Sequence, residues 1–371
     1  MTSRLMAVRF HLAMNFQEIL SALSVRSYNY IEPLKIGTFS SVKGLFGDIL
    51  ESAAFRRLDS IRFLGGIDYA WVRSPNGAPT NVRYTRAQHS VGVAMLALHY
   101  IEKIGATERD AKAIFVAALL HDIGHAPLSH SLEPVFEVEF GLTHHRATED
   151  IVRGDVSLGR DLYDTLVEHG VDVGQVIELM AGQHSGILGF FGGPINFDTI
   201  EGISRSRKYA GLPNAYSQPL TIVDAAINRS SNRDRDVVDE FWRQKGEVYR
   251  YIIGSRTGVL ADFACQHFMR KFIHKFTRED YFTTEECAFK KLPGLYHLLT
   301  AKTFEFEVWH LIKEPVLYTA RTFFIDECVD FLRRDDVRRY KQSKQLRVIE
   351  PRRIRSNNLE PTKDLFDDHP L

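Results

Sequence analysis

Disulfide chemistry has little to work with in this chain. Only three cysteines occur in 371 residues, Cys265, Cys287 and Cys328. They lie far apart, form no CxxC and cannot all pair with one another, which argues against a disulfide framework and for a reducing compartment. An excess of charge of one sign is missing too: 47 Lys and Arg balance 47 Asp and Glu. The whole-molecule field therefore recruits neither nucleic acid nor a membrane surface, and such a partner would need a local patch. Long hydrophobic runs are absent; the longest, residues 113–120, falls far short of the roughly 20 residues a spanning helix needs. His11 and Gln17 interrupt the apolar stretches of the N-terminus, which does not read as a secretory signal. A cytoplasmic chain without membrane contact is the expectation.

What is present suits a folded body. Hydrophobic residues make up 44% and charged residues 25%, ordinary for a globular protein with a sizeable core. The length fits one large helical body with appendages, or two domains. Three-to-four residue periodicity dominates and no series of alternating strands appears, so the fold class is mainly α. One exception is a small β-hairpin expected between residues 67 and 85, where 69–72 and 82–84 flank the turn-rich Ser74-Pro75-Asn76-Gly77. Residues 109–121 are almost wholly apolar after a charged start, the pattern of a central helix buried on every side. Gly124 follows closely, the residue type that most often closes a helix in a left-handed C-cap, so His121 and Asp122 should sit at that helix's C-terminal end. A second helix should start near Arg86, turn Val91, Val93, Met95, Leu96 and Ile101 inward, and carry His89 in its first turns. Further helices are expected near 147–153, 162–169, 173–180, 197–209 and 237–252. The texture divides the chain into an extension (1–30), a body (31–330) and a C-terminal segment (331–371). Between residues 333 and 355 ten Lys or Arg face three acids, Asp335, Asp336 and Glu350. That tract reads either as a solvated helix face or as a nucleic-acid or partner patch.

The chemistry concentrates in a histidine on one helix, a His-Asp pair at the end of the next, and a distant carboxylate: His89, His121, Asp122 and Asp198. Packed helices can aim such residues at one point. Mixed imidazole and carboxylate ligation suits Mn, Fe, Co, Ni or Zn better than Ca, whereas Mg would prefer more oxygen. Singly, each residue has a dull explanation, a satisfied core histidine or a helix cap. Density changes the odds: His121, Asp122, His125 and His130 fall within ten residues, with Glu133, His144 and His145 just beyond.

The run Arg86-Ala87-Gln88-His89-Ser90-Val91-Gly92-Val93, followed by Leu119-Leu120-His121-Asp122-Ile123-Gly124-His125-Ala126-Pro127-Leu128-Ser129-His130, resembles the HD-domain superfamily. It looks most like the deoxynucleoside triphosphate triphosphohydrolase branch, which releases a nucleoside and tripolyphosphate. The pattern continues in Phe55-Arg56-Arg57-Leu58, Leu64-Gly65-Gly66, Thr143-His144 and Pro194-Ile195-Asn196-Phe197-Asp198. The resemblance implies an HD-domain helical bundle and one divalent metal (Mn, Fe, Co, Ni, Zn or Mg) on His89, His121, Asp122 and Asp198. It further implies His125, His130 and His144 lining a phosphate site, Glu133 as the carboxylate partner of a catalytic histidine, and Arg86, Leu64 and Arg205 facing substrate. It also implies a homo-oligomer and a phosphorylated small molecule, a nucleotide, as partner. The departures fall on substrate recognition. Thr199 replaces a cationic phosphate contact, Gly202 a tyrosine, Ser206 a sugar-binding carboxylate, and Phe63 a glutamine that reads deoxyribose; a site loses discrimination when such polar groups go. The reading is a metal-dependent phosphohydrolase on a nucleotide, foremost a dNTP triphosphohydrolase. The alternatives are a monophosphate or other phosphoester phosphatase, and a nucleotide or nucleic-acid sensor with little turnover.

Overall fold

The computed structural model describes residues 36–70, 82–183, 190–212, 218–333 and 336–351; the expected extension at 1–30 lies outside them. Among the described residues the body is mainly helical. Helix α1 (Ile36–Glu51) is followed through Ser52, whose Oγ accepts from the Phe55 amide, by a short helix Ala53–Leu58. Helix α2 (Arg86–Ile104) opens on a reciprocal capping box between Thr85 and Gln88 and closes on Gly105 in the left-handed region, φ 62°. Two orphan amides at its start and carbonyls at its end are thereby satisfied. Helix α3 (Glu108–Leu120), capped by Thr107, buries every residue from Ala113 to Leu120, as its apolar run requires. It packs against α2 and the helix Val173–Met180, and Phe115 meets Phe46 of α1 edge to face at 5.6 Å. The remaining elements that bear on the site are α4 (Glu133–Phe140), α5 (His144–Val152), α6 (Phe197–Tyr209), α7 (Asn232–Val248) and α8 (Arg256–Lys271).

The inward residues predicted for α2 are all buried. Two expectations are corrected. Gly124 is not among the residues of positive φ, so it does not end α3 in a left-handed turn. Glycine is needed there because a Cβ would stand 2.2 Å from the Thr148 amide nitrogen and 2.4 Å from the His144 carbonyl oxygen: the loop after α3 lies directly on the start of α5. The sheet is also elsewhere. Residues 65–68 form a 3-10 turn and 82–84 no strand; 71–81, with the Ser74–Gly77 turn, lie outside the described residues. Among the described residues the two strands are β1 (Val316–Ile325) and β2 (Tyr340–Ile349), antiparallel, with Val316 opposite Ile349 and Ile325 opposite Tyr340. The basic tract after residue 331 thus supplies a strand. One end of this ribbon is anchored on α7: Trp242 Nε1 donates to the Phe324 carbonyl at 3.0 Å, and Asp239 accepts from Arg339 at 2.6 and 3.0 Å and from the Tyr340 hydroxyl at 2.8 Å. Periodicity missed it because Leu317, Phe324, Leu346 and Val348 point to solvent and break the apolar pattern.

Candidate active site

His89, His121, Asp122 and Asp198 converge. His89, in the second turn of α2, is fully buried, and its Nε2 lies 3.1 Å from Asp198 Oδ1, 3.4 Å from Asp122 Oδ2 and 3.2 Å from His121 Nε2. His121 Nε2 is 3.5 Å from Asp122 Oδ1 and 3.7 Å from Asp198 Oδ1. The far nitrogens of both imidazoles are committed. His89 Nδ1 faces Glu201 Oε2 at 2.5 Å, and His121 Nδ1 meets the Ala118 carbonyl at 2.9 Å, where only a donor fits. With each Nδ1 donating, the two Nε2 lone pairs and the Asp198 carboxylate lie within 4.8 Å of one another and Asp122 stands 3.4 and 3.5 Å from the two imidazoles, an arrangement that repels itself unless a cation or protons sit among them. Burial disfavours charge on His89, but Glu201, Asp198 and Asp122 outweigh it and raise its pKa to about 10. A divalent ion binding here would displace protons from the imidazoles. The donor set and its outer carboxylate therefore fit a borderline-hard divalent metal. Asp198 is the open side, its side chain 56% exposed.

The supporting residues explain this order. Glu201, one turn after Asp198 on α6, is buried and held by both Arg205 nitrogens, while Arg205 also donates to the Gln88 carbonyl and lies over the Tyr84 ring. Its guanidinium thus fixes the carboxylate behind His89. Arg86 donates through NH1 to Asp122 Oδ2 at 2.6 Å and through Nε to Ser129 Oγ at 3.0 Å, and sits over the Phe63 ring. Leu64 is half-buried, its amide donating to Asp68. Thr199 has a local duty, forming a capping box with Asn196 at the start of α6. Gly202 leaves space: a Cβ there would stand 3.7 Å from His89 Cε1 and 3.8 Å from Asp198 Oδ1.

A second group adjoins the first. Glu133 holds two histidines, one on each oxygen: His130 Nδ1 at 2.9 Å and His144 Nδ1 at 2.6 Å, with the His144 amide also donating at 2.7 Å. His125 stacks on His144, rings 4.6 Å apart and 5° from parallel, and stands edge-on to His130. Its Nε2 is 3.2 Å from Asp122 Oδ1, yet neither ring nitrogen makes a hydrogen bond among the described residues. Burial, then the nearby Arg86 charge, push His125 well below the usual histidine range against the pull of Asp122, so it is neutral near pH 7. Burial would raise Glu133, but His130 and His144 hold it far below the usual carboxylate range. The loop that delivers His130 is strained: Leu128 and Ser129 take φ 57° and 49°, a region few non-glycine residues enter. Ser129 Oγ donates to the Arg62 carbonyl, and the Leu128 amide donates to Glu285. Glu285 also accepts from the Arg62 amide and the Tyr69 hydroxyl. Sequence reasoning missed Glu285, which lies over 150 residues from the loop it steadies and carries no local signature.

The HD domain family model matches residues 86–224, a stretch that includes His89, His121, Asp122 and Asp198. The chain is 28% identical over 173 residues to the uncharacterized protein YwfO of Bacillus subtilis, covering 45% of this chain and 37% of that one. It is 27% identical over 206 residues to the deoxynucleoside triphosphate triphosphohydrolase SAMHD1 of Gallus gallus, covering 53% and 30%. Against the Homo sapiens protein of the same name it is 32% identical over 111 residues, covering 27% and 16%. The matches thus span little more than a third of these relatives' lengths at most. No described helix is long and apolar enough to cross a membrane, and all three cysteines are free.

Proposed function

Residues 86–224 being an HD domain, we propose that the chain is a metal-dependent phosphohydrolase acting on a nucleotide, foremost a dNTP triphosphohydrolase that releases nucleoside and tripolyphosphate. The observation that carries this is the junction of the two groups, where Asp122 belongs to the ligand quartet and lies 3.2 Å from His125 of the histidine group. A pure binding module has no need of an acid-base set beside its metal. His89, His121, Asp122 and Asp198 would hold one divalent ion, which when bound polarises a phosphoryl oxygen or activates water. Glu133, ionised, keeps Nδ1 of His130 and of His144 occupied, so both Nε2 atoms are turned to other partners. His130 passes its Nε2 proton to the oxygen that leaves phosphorus as the water oxygen bonds to phosphorus and the water releases a proton to solvent. Burial, Arg86 and His144 lower the pKa of His130, and the Glu133 carboxylate opposes them by favouring the imidazolium. His125, neutral, contributes a hydrogen bond to a phosphate oxygen rather than a proton. Arg86 sets the carboxylate of Asp122. The name of the vertebrate relatives supports the dNTP reading; Phe63, Thr199, Gly202 and Ser206 support a sugar read differently from theirs.

Product analysis with Mn²⁺ tests this, using dNTPs, NTPs, nucleoside monophosphates and a generic phosphoester, with Asp122→Ala as control. Nucleoside and tripolyphosphate from dNTPs is the expected result. Orthophosphate from monophosphates would make the four changes a substrate switch, and no product from any compound would leave a nucleotide sensor.

A further inference from the structure

The β1–β2 ribbon carries Arg321, Lys341, Lys344 and Arg347 and no acidic residue on either strand, although the chain as a whole is neutral. Acids begin only off the strand ends, at Glu314, Asp326 and Glu350. The register sets Arg321 directly opposite Lys344, and like charges facing across strands destabilise a sheet. Lys341 is offset by Asp326 at 2.7 Å, and Arg321 reaches the Tyr249 hydroxyl at 3.2 Å while remaining exposed. Lys344 and Arg347 have no ion-pair partner among the described residues. Between the end anchored on α7 and the other end, where Ile349 is buried with Val316 packed beside the core, the ribbon exposes Leu317 and Leu346, 60% and 68%.

We propose that this ribbon is a docking surface for duplex nucleic acid, gripping the phosphate backbone through Arg321, Lys344 and Arg347. Alternation along the strands puts Arg321 and Lys344 on one face and Arg347 on the other. Cations on both faces suit a rod lying between two phosphate strands, and the major groove admits a two-stranded ribbon. A membrane surface would call for one polar and one apolar face instead. A face-to-face contact with a second copy about a two-fold axis would bring each Arg321–Lys344 pair towards its equivalent. The ribbon also neighbours the candidate site: Lys245 of α7 lies over the Phe323 ring at 5.8 Å and donates to the carbonyl of Pro194, four residues before Asp198, at 3.1 Å. The inference does not rest on the proposed activity.

Fluorescence anisotropy of the full chain with a labelled 20-base-pair duplex of mixed sequence tests it. Lys344→Glu/Arg347→Glu should weaken binding at least about tenfold and make the slope of log K against log salt shallower by about two. Circular dichroism melts check folding, and Lys344→Gln/Arg347→Gln should give a smaller loss in the same direction. No binding by the unaltered chain, or unchanged affinity and salt slope in both variants, overturns the proposal. So does a dimer, seen by light scattering, that Leu346→Asp dissociates while duplex affinity stays the same, since the face would then belong to a second copy. Transfer of the charge effect to anionic vesicles with duplex binding intact would overturn it in favour of a lipid surface.

Discussion

The two histidine groups of the site touch at Asp122 and His125 but are held in different ways. The quartet proposed to hold metal stands mainly on helices: His89 within α2, His121 and Asp122 at the end of α3, Asp198 in the first turn of α6. Its imidazoles are fixed from behind by Glu201 and a backbone carbonyl. The Glu133 group hangs on a loop and two helix starts, with His130 following two left-handed residues and His144 opening α5. The first group suits a cation kept in a fixed place; the second, whose donor atoms also lie within 4.8 Å of one another, presents its nitrogens from a loop and two helix starts. Regular elements give the precision a metal needs, and a strained, tethered loop lets three rings crowd together.

That contrast can be broken in graded steps. Asp122→Ala removes the residue that joins the groups, and should abolish both metal content, by elemental analysis, and turnover. Glu133→Gln should leave metal content intact while kcat falls roughly 10²- to 10⁴-fold, the usual worth of positioned acid-base catalysis; equal loss of metal would merge the two groups into one. Glu201→Gln, behind His89, should weaken metal binding roughly 10- to 100-fold in calorimetric titration, with turnover restored by excess metal. Gly124→Ala, which forces a Cβ onto the α5 backbone, should cost about 1–3 kcal/mol in chemical denaturation and disturb the Glu133 group more than the quartet.

The smallest effect concerns the carboxylate that steadies the strained loop. Burial, only partly offset by the Tyr69 and Arg62 hydrogen bonds, raises Glu285 to about 7. The folded state then holds a proton that the unfolded chain releases near pH 4.3. This contribution to stability is complete below the unfolded value and is lost as pH rises through about 7. Glu285→Gln should flatten the fall of stability between about pH 4.5 and 7, by at most about 1.4 kcal/mol per pH unit. An unchanged pH profile would mean that Glu285 is charged throughout.

Legibility followed the same division. The helical ligands could be read because α2 and α3 announce themselves by capping residues and apolar periodicity, and because His121-Asp122 ends an apolar run. The loop was legible only in composition, as a density of histidines; its geometry depends on Glu285, Arg62 and Ser129, which meet only after folding. Gly124 was read as a helix stop, whereas its role is a close approach between backbones distant from any local rule. Arg205 was expected to face substrate and instead secures Glu201, since sequence gives an arginine's position and not the direction of its guanidinium. The β1–β2 ribbon escaped because its strands lie apart in sequence and pack on α7 at one end only.

The central claim is that four side chains hold one divalent ion. Titrating chelator-treated full chain with Mn²⁺, with free metal followed by electron paramagnetic resonance, tests it most directly. One tight ion per chain is expected, with loss of that ion in Asp198→Ala while the fold stays intact by circular dichroism. No tight ion in the unaltered chain, or the same ion bound undiminished by Asp198→Ala, would contradict it.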